Sequence, residues 1–339
     1  SKTDADGKQV GFGYDALNRL IEIKHDGGVA YSFGYDQGPN ALGKLSAIGG
    51  PNQSNPTTWS YNAQGRIAGK VQQAGGLGLA TTYAYNLSGQ LIGQTYPSGK
   101  VAAYSYNSLG QISGISVDNQ PVINNAVYQP FGPVASWSWG NNTPYQRQFD
   151  TDGRLYSYPL ANNTRVLGFD AASRIQNSTD AIGGNTLYFY DELDRLKSWQ
   201  PPNTLQNFDY DANGNRTRQV IGASSYANSV SSSSNRLQSV AGPTAKTYSY
   251  NLSGNRITDG INTFGYNAAQ RLTSISFPGG NGVYAINALG QRTLKSGAGV
   301  TLTHFVHDEG GRLIGEYDGS GQPIEETVYL GDLPVAVLR

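Results

Sequence analysis

The chain has 339 residues with a formal net charge of zero, and only 14% of them are charged. That neutral balance argues against a nucleic-acid partner or an anionic membrane surface, because neither leaves its usual basic footprint. No apolar run approaches the ~20 residues of a membrane span, so no membrane insertion is expected, and Ser1-Lys2-Thr3-Asp4 does not read as a signal peptide. With no Cys there are no disulfides or thiolate metal sites, and the lack of any Met leads us to expect an excised or processed piece of a longer chain.

The 44 Gly and 23 Tyr are more informative. Many turns joined to many half-buried aromatic strands give such a composition, whereas a disordered chain carries few aromatics. In chain order, an aromatic followed by Asp or Asn, a turn, a polar residue and an aliphatic recurs throughout. The first blocks are Tyr14-Asp15 to Arg19-Leu20, Tyr35-Asp36 to Lys44-Leu45, Tyr61-Asn62 to Arg66-Ile67, Tyr85-Asn86 to Gln90-Leu91 and Tyr106-Asn107 to Gln111-Ile112. Tyr128 marks a degenerate copy. Then come Phe149-Asp150 to Arg154-Leu155, Phe169-Asp170 to Arg174-Ile175, Tyr190-Asp191 to Arg195-Leu196 and Tyr210-Asp211 to Asn215-Arg216. A second degenerate copy spans Tyr226 to Leu237. The series closes with Tyr250-Asn251, Tyr266-Asn267, Ile286-Asn287 and His307-Asp308, each followed by its own turn. The spacing is mostly 20 to 22 residues, for about fourteen units.

Each unit reads as a hairpin. Before the Asp or Asn, Phe12-Gly13-Tyr14, Trp59-Ser60-Tyr61 and Tyr83-Ala84-Tyr85 alternate with period two, which puts both aromatics on one strand face. Asp or Asn bonds backbone two residues on, and the following Gly accepts positive φ. After the turn, Arg19-Leu20-Ile21-Glu22-Ile23 alternates again. The expected fold is therefore all-β, with tandem hairpins in a curved antiparallel sheet and essentially no α-helix. Neighbouring units stack their aromatics, each cross-strand pair adding roughly 0.2–1 kcal/mol. The recurrent Arg is expected to lie over a neighbouring Tyr or to bond turn carbonyls. About 28 strands at ~4.8 Å give a sheet roughly 130 Å long; as a closed ring it would be only about 40 Å across, so an open ribbon or about one turn of spiral is expected.

The units Phe149-Asp-Thr-Asp-Gly-Arg-Leu155 and Tyr61-Asn-Ala-Gln-Gly-Arg-Ile67 resemble the YD repeat of bacterial RHS proteins, and the likeness runs along essentially the whole chain. Related repeats occur in insecticidal Tc toxin components and in animal teneurins. The resemblance implies a β-sheet spiralling into a hollow shell, which in bacterial toxins encloses a C-terminal toxic domain. It divides the chain into a repeat array over 1–316 and a segment, 317–339, similar to the C-terminal part of the RHS core. That core usually closes on an Asp-Pro-containing cleavage motif; no Asp-Pro occurs here, so no catalytic residue is carried over. The expectation is a structural, non-enzymatic, exported bacterial shell segment without cofactor or metal, with an enclosed polypeptide as partner. The other reading is a surface adhesion module binding glycans through exposed aromatics such as Trp137 and Trp139. Open sheet edges also raise the possibility of edge-to-edge self-association.

Several other patterns compete with the repeat. Gly38-Pro-Asn-Ala-Leu-Gly43-Lys44-Leu45 nearly matches a phosphate loop, but Leu45 stands where Ser or Thr should hold Mg²⁺ and no helix follows. Asp209, Asp211, Asn213 and Gly214 open like a calcium loop, yet Val220 replaces the bidentate Glu. His304 and His307 point to opposite strand faces, and His25 stands beside the Asp26-Gly27 turn. Asp191 and Asp194 could form a glycosidase pair only across a cleft. All are expected to be ordinary repeat residues.

Overall fold

The computed structural model describes residues 1–50 and 55–339 and contains no α-helix among them. Among the described residues thirty-five strands run from Lys2–Thr3 to Leu333–Leu338, and within each sheet every strand pairs with its neighbour in sequence. They make three antiparallel sheets of 14, 11 and 10 strands, each in strict chain order. The expectation of some 28 strands in a single sheet is corrected here. A sheet ends where one extended segment hands its pairing from one neighbour to the next. Pro144–Gln146 pairs backward with Val134–Trp139, while Gln148–Phe149 pairs forward with Leu155–Leu160, so a single residue, Arg147, divides two sheets. Lys246–Thr247 and Ser249–Tyr250 repeat the device about Tyr248.

Two turn types alternate along the meander. At one edge sit tight two-residue hairpins with both central residues at positive φ, such as Asp26-Gly27 (48° and 86°) and Asp118-Asn119 (48° and 65°). That backbone matches the twist of the flanking strands, and Asn, Asp and Gly tolerate it best. At the other edge sit the Asp/Asn turns, each beginning with a register shift at the aromatic, for example between Gly168 and Phe169. The extra residue lets the loop close without disturbing alternation further along the strand.

Two compact units emerge, one of residues 1–123, 250–257 and 261–339, the other of 124–249 and 258–260. The first has two layers. Strands of the first and third sheets face each other around a core of Ile48, Tyr96, Ala102, Ile115, Phe305, Val306, Ile314, Tyr317 and Val328. In the second unit, Ala126, Val134, Trp137 and Phe208 are the buried apolar side chains among the described residues. Most of its aromatics are half-buried by neighbours in the same sheet, with Ser157, Ser178 and Ser198 buried between them. The difference is physical: a second layer removes both sides of a ring from water, whereas in-sheet neighbours cover only its flanks.

Candidate functional site

The chemistry of this chain is concentrated in the repeated turn. In the unit from Phe149 to Leu155, the Asp150 N–H donates to the Arg154 carbonyl and the Gly153 N–H to the Asp150 carbonyl, both at 3.0 Å. Asp150 Oδ1 accepts from the Asp152 and Arg154 backbone N–H groups at 3.0 and 2.9 Å, while Oδ2 accepts Arg154 Nε at 2.7 Å. One short carboxylate thus satisfies three donors, two of them backbone groups that the turn would otherwise leave open. Asp15, Asp170, Asp191 and Asp308 repeat the same clamp, each 2.7 Å from the Nε of Arg19, Arg174, Arg195 or Arg312. The Arg19 backbone N–H and side chain hold Asp15 below the usual carboxylate range, and the Arg174 side chain leads the same effect on Asp170.

The partner changes with the first residue. Where Asn replaces Asp at 86, 107 and 287, the Arg becomes Gln90, Gln111 and Gln291, and Asn Nδ2 donates to Gln Oε1 at 2.6, 3.0 and 2.9 Å. This pairing is visible in the repeats as Asp with Arg and Asn with Gln four residues on, a correlation missed by the expectation that Asp or Asn bonds backbone while Arg lies over a Tyr or bonds turn carbonyls. Asn62–Arg66, Asn251–Asn255, Asn267–Arg271, Asp211–Asn215 and Asp36–Lys44 depart from it.

The same arginines bind the next unit. Arg19, Arg154, Arg174, Arg195 and Arg312 lie 4.5–4.9 Å from the ring centroids of Tyr35, Phe169, Tyr190, Tyr210 and Tyr329. Each also reaches the next turn: Arg19 to Asp36 at 2.8 Å, Arg154 to Ser173 Oγ at 2.7 Å, Arg174 to Asp194 and Arg195 to the Asp211 carbonyl at 2.9 Å. In return the tyrosine hydroxyl donates to the aliphatic carbonyl just after that arginine position. Tyr35 bonds Leu20 at 3.0 Å, Tyr61 Leu45 at 2.6 Å, Tyr85 Ile67 at 2.9 Å, Tyr106 Leu91 at 2.7 Å, Tyr190 Ile175 at 2.7 Å, Tyr210 Leu196 at 2.8 Å and Tyr329 Leu313 at 2.8 Å. Aromatic, acid, base and aliphatic residue are therefore one device that closes a turn and fastens it to its neighbour.

Within the first unit a buried polar seam joins the two layers. Lys70 and Gln72, two apart on Ile67–Ala74, donate to the carbonyls of His307 and Phe305, two apart on Thr303–His307; the Gln72 bond is 2.7 Å. Glu309 accepts from Trp59 Nε1 at 2.9 Å and Tyr83 OH at 3.2 Å and pairs with Lys70 at 3.3 Å. Further along, fully buried Glu326 accepts Tyr317 OH at 2.6 Å, Ser98 Oγ at 2.6 Å and Ser98 N–H at 3.1 Å. Tyr96 OH donates to the Thr327 carbonyl at 2.9 Å. Burial raises the Tyr96 and Tyr317 hydroxyls far above the ordinary phenol value, so they remain donors.

Comparison with known proteins fits this geometry. Residues 1–30 and 85–119 match the RHS repeat family. Those two segments carry RHS repeats. Its fold matches the Tc holotoxin pore of Photorhabdus luminescens with a TM-score of 0.67 at 13% identity, covering 96% of this chain and 22% of that one. It matches TcdB2-TccC3 at 0.62 (13% identity, 96% and 23% covered) and the form without its hypervariable C-terminal region at 0.63 (13%, 99% and 23%). The chain thus spans under a quarter of the length of the solved chains it resembles. No curated protein matches it by sequence.

The RHS register absorbs the competing motifs. The Gly38–Lys44 loop is an enlarged RHS turn: the Asp36 N–H donates to the Lys44 carbonyl at 3.1 Å and Gly43 N–H to Asp36 Oδ1 at 2.5 Å, and a strand from Leu45 follows instead of a helix. Asp211 spends its oxygens on the Asn213 and Asn215 N–H groups (3.0 and 2.8 Å) and on Asn215 Nδ2, while Asp209 pairs with Arg218 at 3.6 Å. Asp191 clamps Arg195 and Asp194 meets Arg174, so that acidic pair faces guanidinium groups. His25 lies edge-on to Tyr31 with centroids 5.8 Å apart; His304 is buried opposite Tyr317, and His307 fills the aromatic slot. Burial lowers the pKa of all three. Among the described residues no group of three or more His, Cys, Asp or Glu side chains could hold a metal. Trp137, assigned to an exposed row in the glycan reading, is 5% exposed and stacks on Tyr145 at 4.2 Å with Trp139 edge-on at 5.4 Å.

The two degenerate copies keep the backbone turn without the clamp, through Gln129–Pro133 and Ser231–Arg236. RHS-type turns also occur off the main register, at Asp4–Lys8, Tyr96–Lys100 and Asp318–Gln322. The last was legible as Tyr317-Asp318-Gly-Ser-Gly-Gln322 but lies only ten residues after His307-Asp308, half the expected spacing.

Proposed function

We propose that the chain is a non-catalytic wall segment of an RHS-type shell, exported from a bacterium, that encloses a C-terminal toxin or another polypeptide. The observation that carries this reading is the clamp itself. In the five units that carry the Asp–Arg pair, both ionisable side chains are spent on their own turn or on the next, as wall material requires and a catalytic site does not. The unbroken sequential meander supports it, as does the likeness in fold to proteins described as a toxin pore and its components. Alternation gives the sheet one face of half-buried aromatics and an opposite face rich in Ser and Asn, and such surfaces suit a non-native polypeptide without one tight interface.

The test is protease protection in the full-length gene product that contains this chain. A downstream domain that resists protease while the RHS region is intact, and is digested once residues 124–249 are deleted, supports enclosure. Equal digestion with and without that segment overturns it. Glycan-array binding that disappears in Trp139→Ala without loss of folding would replace it with the adhesion reading.

A further inference from the structure

Two slots of the main register hold no ring. Val230 and Ile286 each stand at the register shift that opens a repeated turn, where the other units carry an aromatic or imidazole ring. At Val230 the rest of the device is gone as well. The base position before it is Asn215, which turns to Asn235 at 3.0 Å, and Asn228 Nδ2 donates to the Arg216 carbonyl at 2.8 Å in place of a tyrosine hydroxyl. At Ile286 the device is kept. Arg271 still reaches the next turn, bonding the Gly290 carbonyl at 3.1 Å, with Asn267 where the clamp has its aspartate. The Leu272 carbonyl is the counterpart of the Leu20, Leu196 and Leu313 carbonyls, yet among the described residues no side chain bonds it.

Where the ring is missing there is a cleft of about 490 Å³, bounded by Arg271, Leu272, Ile286, Arg292, Phe305 and His307. Arg292 pairs across the strands with Ile286 and lies over the rings of Phe305 and Tyr284, 4.3 and 5.6 Å from their centroids. Among the described residues that line the cleft none is acidic. Burial, then the charges of Lys70 and Arg292, hold His307 below its ordinary pKa against the opposing Asp308. Two guanidinium groups therefore border an apolar-walled cleft that supplies no carboxylate.

We infer that this cleft binds a small phenolic carboxylate, with its ring beneath Arg271, its hydroxyl on the Leu272 carbonyl and its carboxylate on Arg292. The chain's own repeats define the ligand. Beside Tyr35, Tyr210 and Tyr329, the arginine of the preceding unit lies 4.5–4.9 Å from the ring centroid and the phenol donates to the aliphatic carbonyl at 2.8–3.0 Å. A register tyrosine continues from its ring into backbone at the position of Ile286. A separate molecule carries its anionic group there instead, opposite Arg292, and an anion desolvated beside a guanidinium gains a charge-assisted hydrogen bond. A free aromatic acid and a polypeptide ending in tyrosine share this chemistry. The inference does not depend on what the array encloses.

The experiment is calorimetric titration of the whole chain with 4-hydroxyphenylacetate. Saturable one-site binding is expected, with a Kd of about 1 mM or below for a ligand of this size. Phenylacetate, which lacks the hydroxyl, should bind roughly 2–10-fold more weakly, and Arg292→Gln should weaken binding by roughly 10-fold or more. Tyramine, the same phenol with a cation in place of the anion, should not bind. Ile286→Tyr restores the register ring: it should melt no lower than the wild type and should lose binding. Acetyl-Gly-Tyr with a free carboxylate separates the two sources, since tighter binding than the free acid assigns the site to a chain end and weaker binding to a small molecule. The inference is overturned by titrations that never saturate, by tyramine binding as well as 4-hydroxyphenylacetate, or by undiminished binding to Arg292→Gln or to a folded Ile286→Tyr.

Discussion

Replacing Tyr317 by Phe removes a single hydroxyl from a fully buried polar group of the two-layered unit. That hydroxyl donates to Glu326 at 2.6 Å, and both residues are fully buried. Three donors converge on the Glu326 carboxyl, two of them from Ser98 in the turn between the Leu91–Thr95 and Val101–Tyr106 strands. The knot therefore ties one layer to the other. A hydrogen bond to a buried charged group is worth about 1.5–3 kcal/mol, and no water can replace the lost donor. For a unit of about 200 residues each kcal/mol moves the melting temperature by about 2–4 °C, so Tyr317→Phe should lower it by about 3–12 °C. Scanning calorimetry of the whole chain reads this directly, and only the transition of the two-layered unit should move. Tyr106→Phe is the matched control: it removes an identical hydroxyl, but one bonded to a neutral carbonyl, Leu91, in a half-buried setting, worth about 0.5–1.5 kcal/mol. A Tyr317→Phe shift no larger than that of Tyr106→Phe would refute the claim that the carboxyl knot fastens the layers.

Further outcomes follow from the same geometry. His25, His304 and His307 all belong to the two-layered unit, and burial lowers their pKa values from 6.5. The unfolded chain therefore takes up protons first, so their contribution is complete above about pH 6.5 and declines as pH falls through the interval below it. Urea midpoints of the wild type and of His304→Gln across pH 5–8 should show a shallower decline in the variant; parallel curves would contradict the assignment. Trp137→Ala should destabilise the other unit by about 3–5 kcal/mol, as expected for an aromatic stacked in a buried cluster, and urea unfolding measures it. Gly153→Asn should be nearly neutral in melting temperature, because Asn18 already occupies that turn position at φ 63°, whereas Gly297→Ala should be severe, because its Cβ would stand 2.1 Å from the Asn281 carbonyl oxygen.

Much of the turn was legible before any coordinates. A short acid after an aromatic, a residue tolerant of positive φ and a base four places on specify local hydrogen bonds whose geometry depends on nothing distant, and Asp150 to Arg154 realises them. The cation over the next ring was also foreseeable, because a fixed period places Arg174 beside Tyr190. The half-period turn at Asp318 escaped, since alignment on one spacing hides a motif that uses the opposite edge.

The sequence by itself determined the strand-and-turn unit, its face and its order, because those follow from alternation and from contacts within some twenty residues. It also accounted for the phosphate-loop and calcium-loop resemblances, whose side chains are spent locally. Tertiary structure alone decided which strands are covered twice. Lys70 meets His307, and Ser98 meets Glu326, across more than 220 positions. No periodic pattern encodes a distance of that kind; it is set by where the meander brings its layers together.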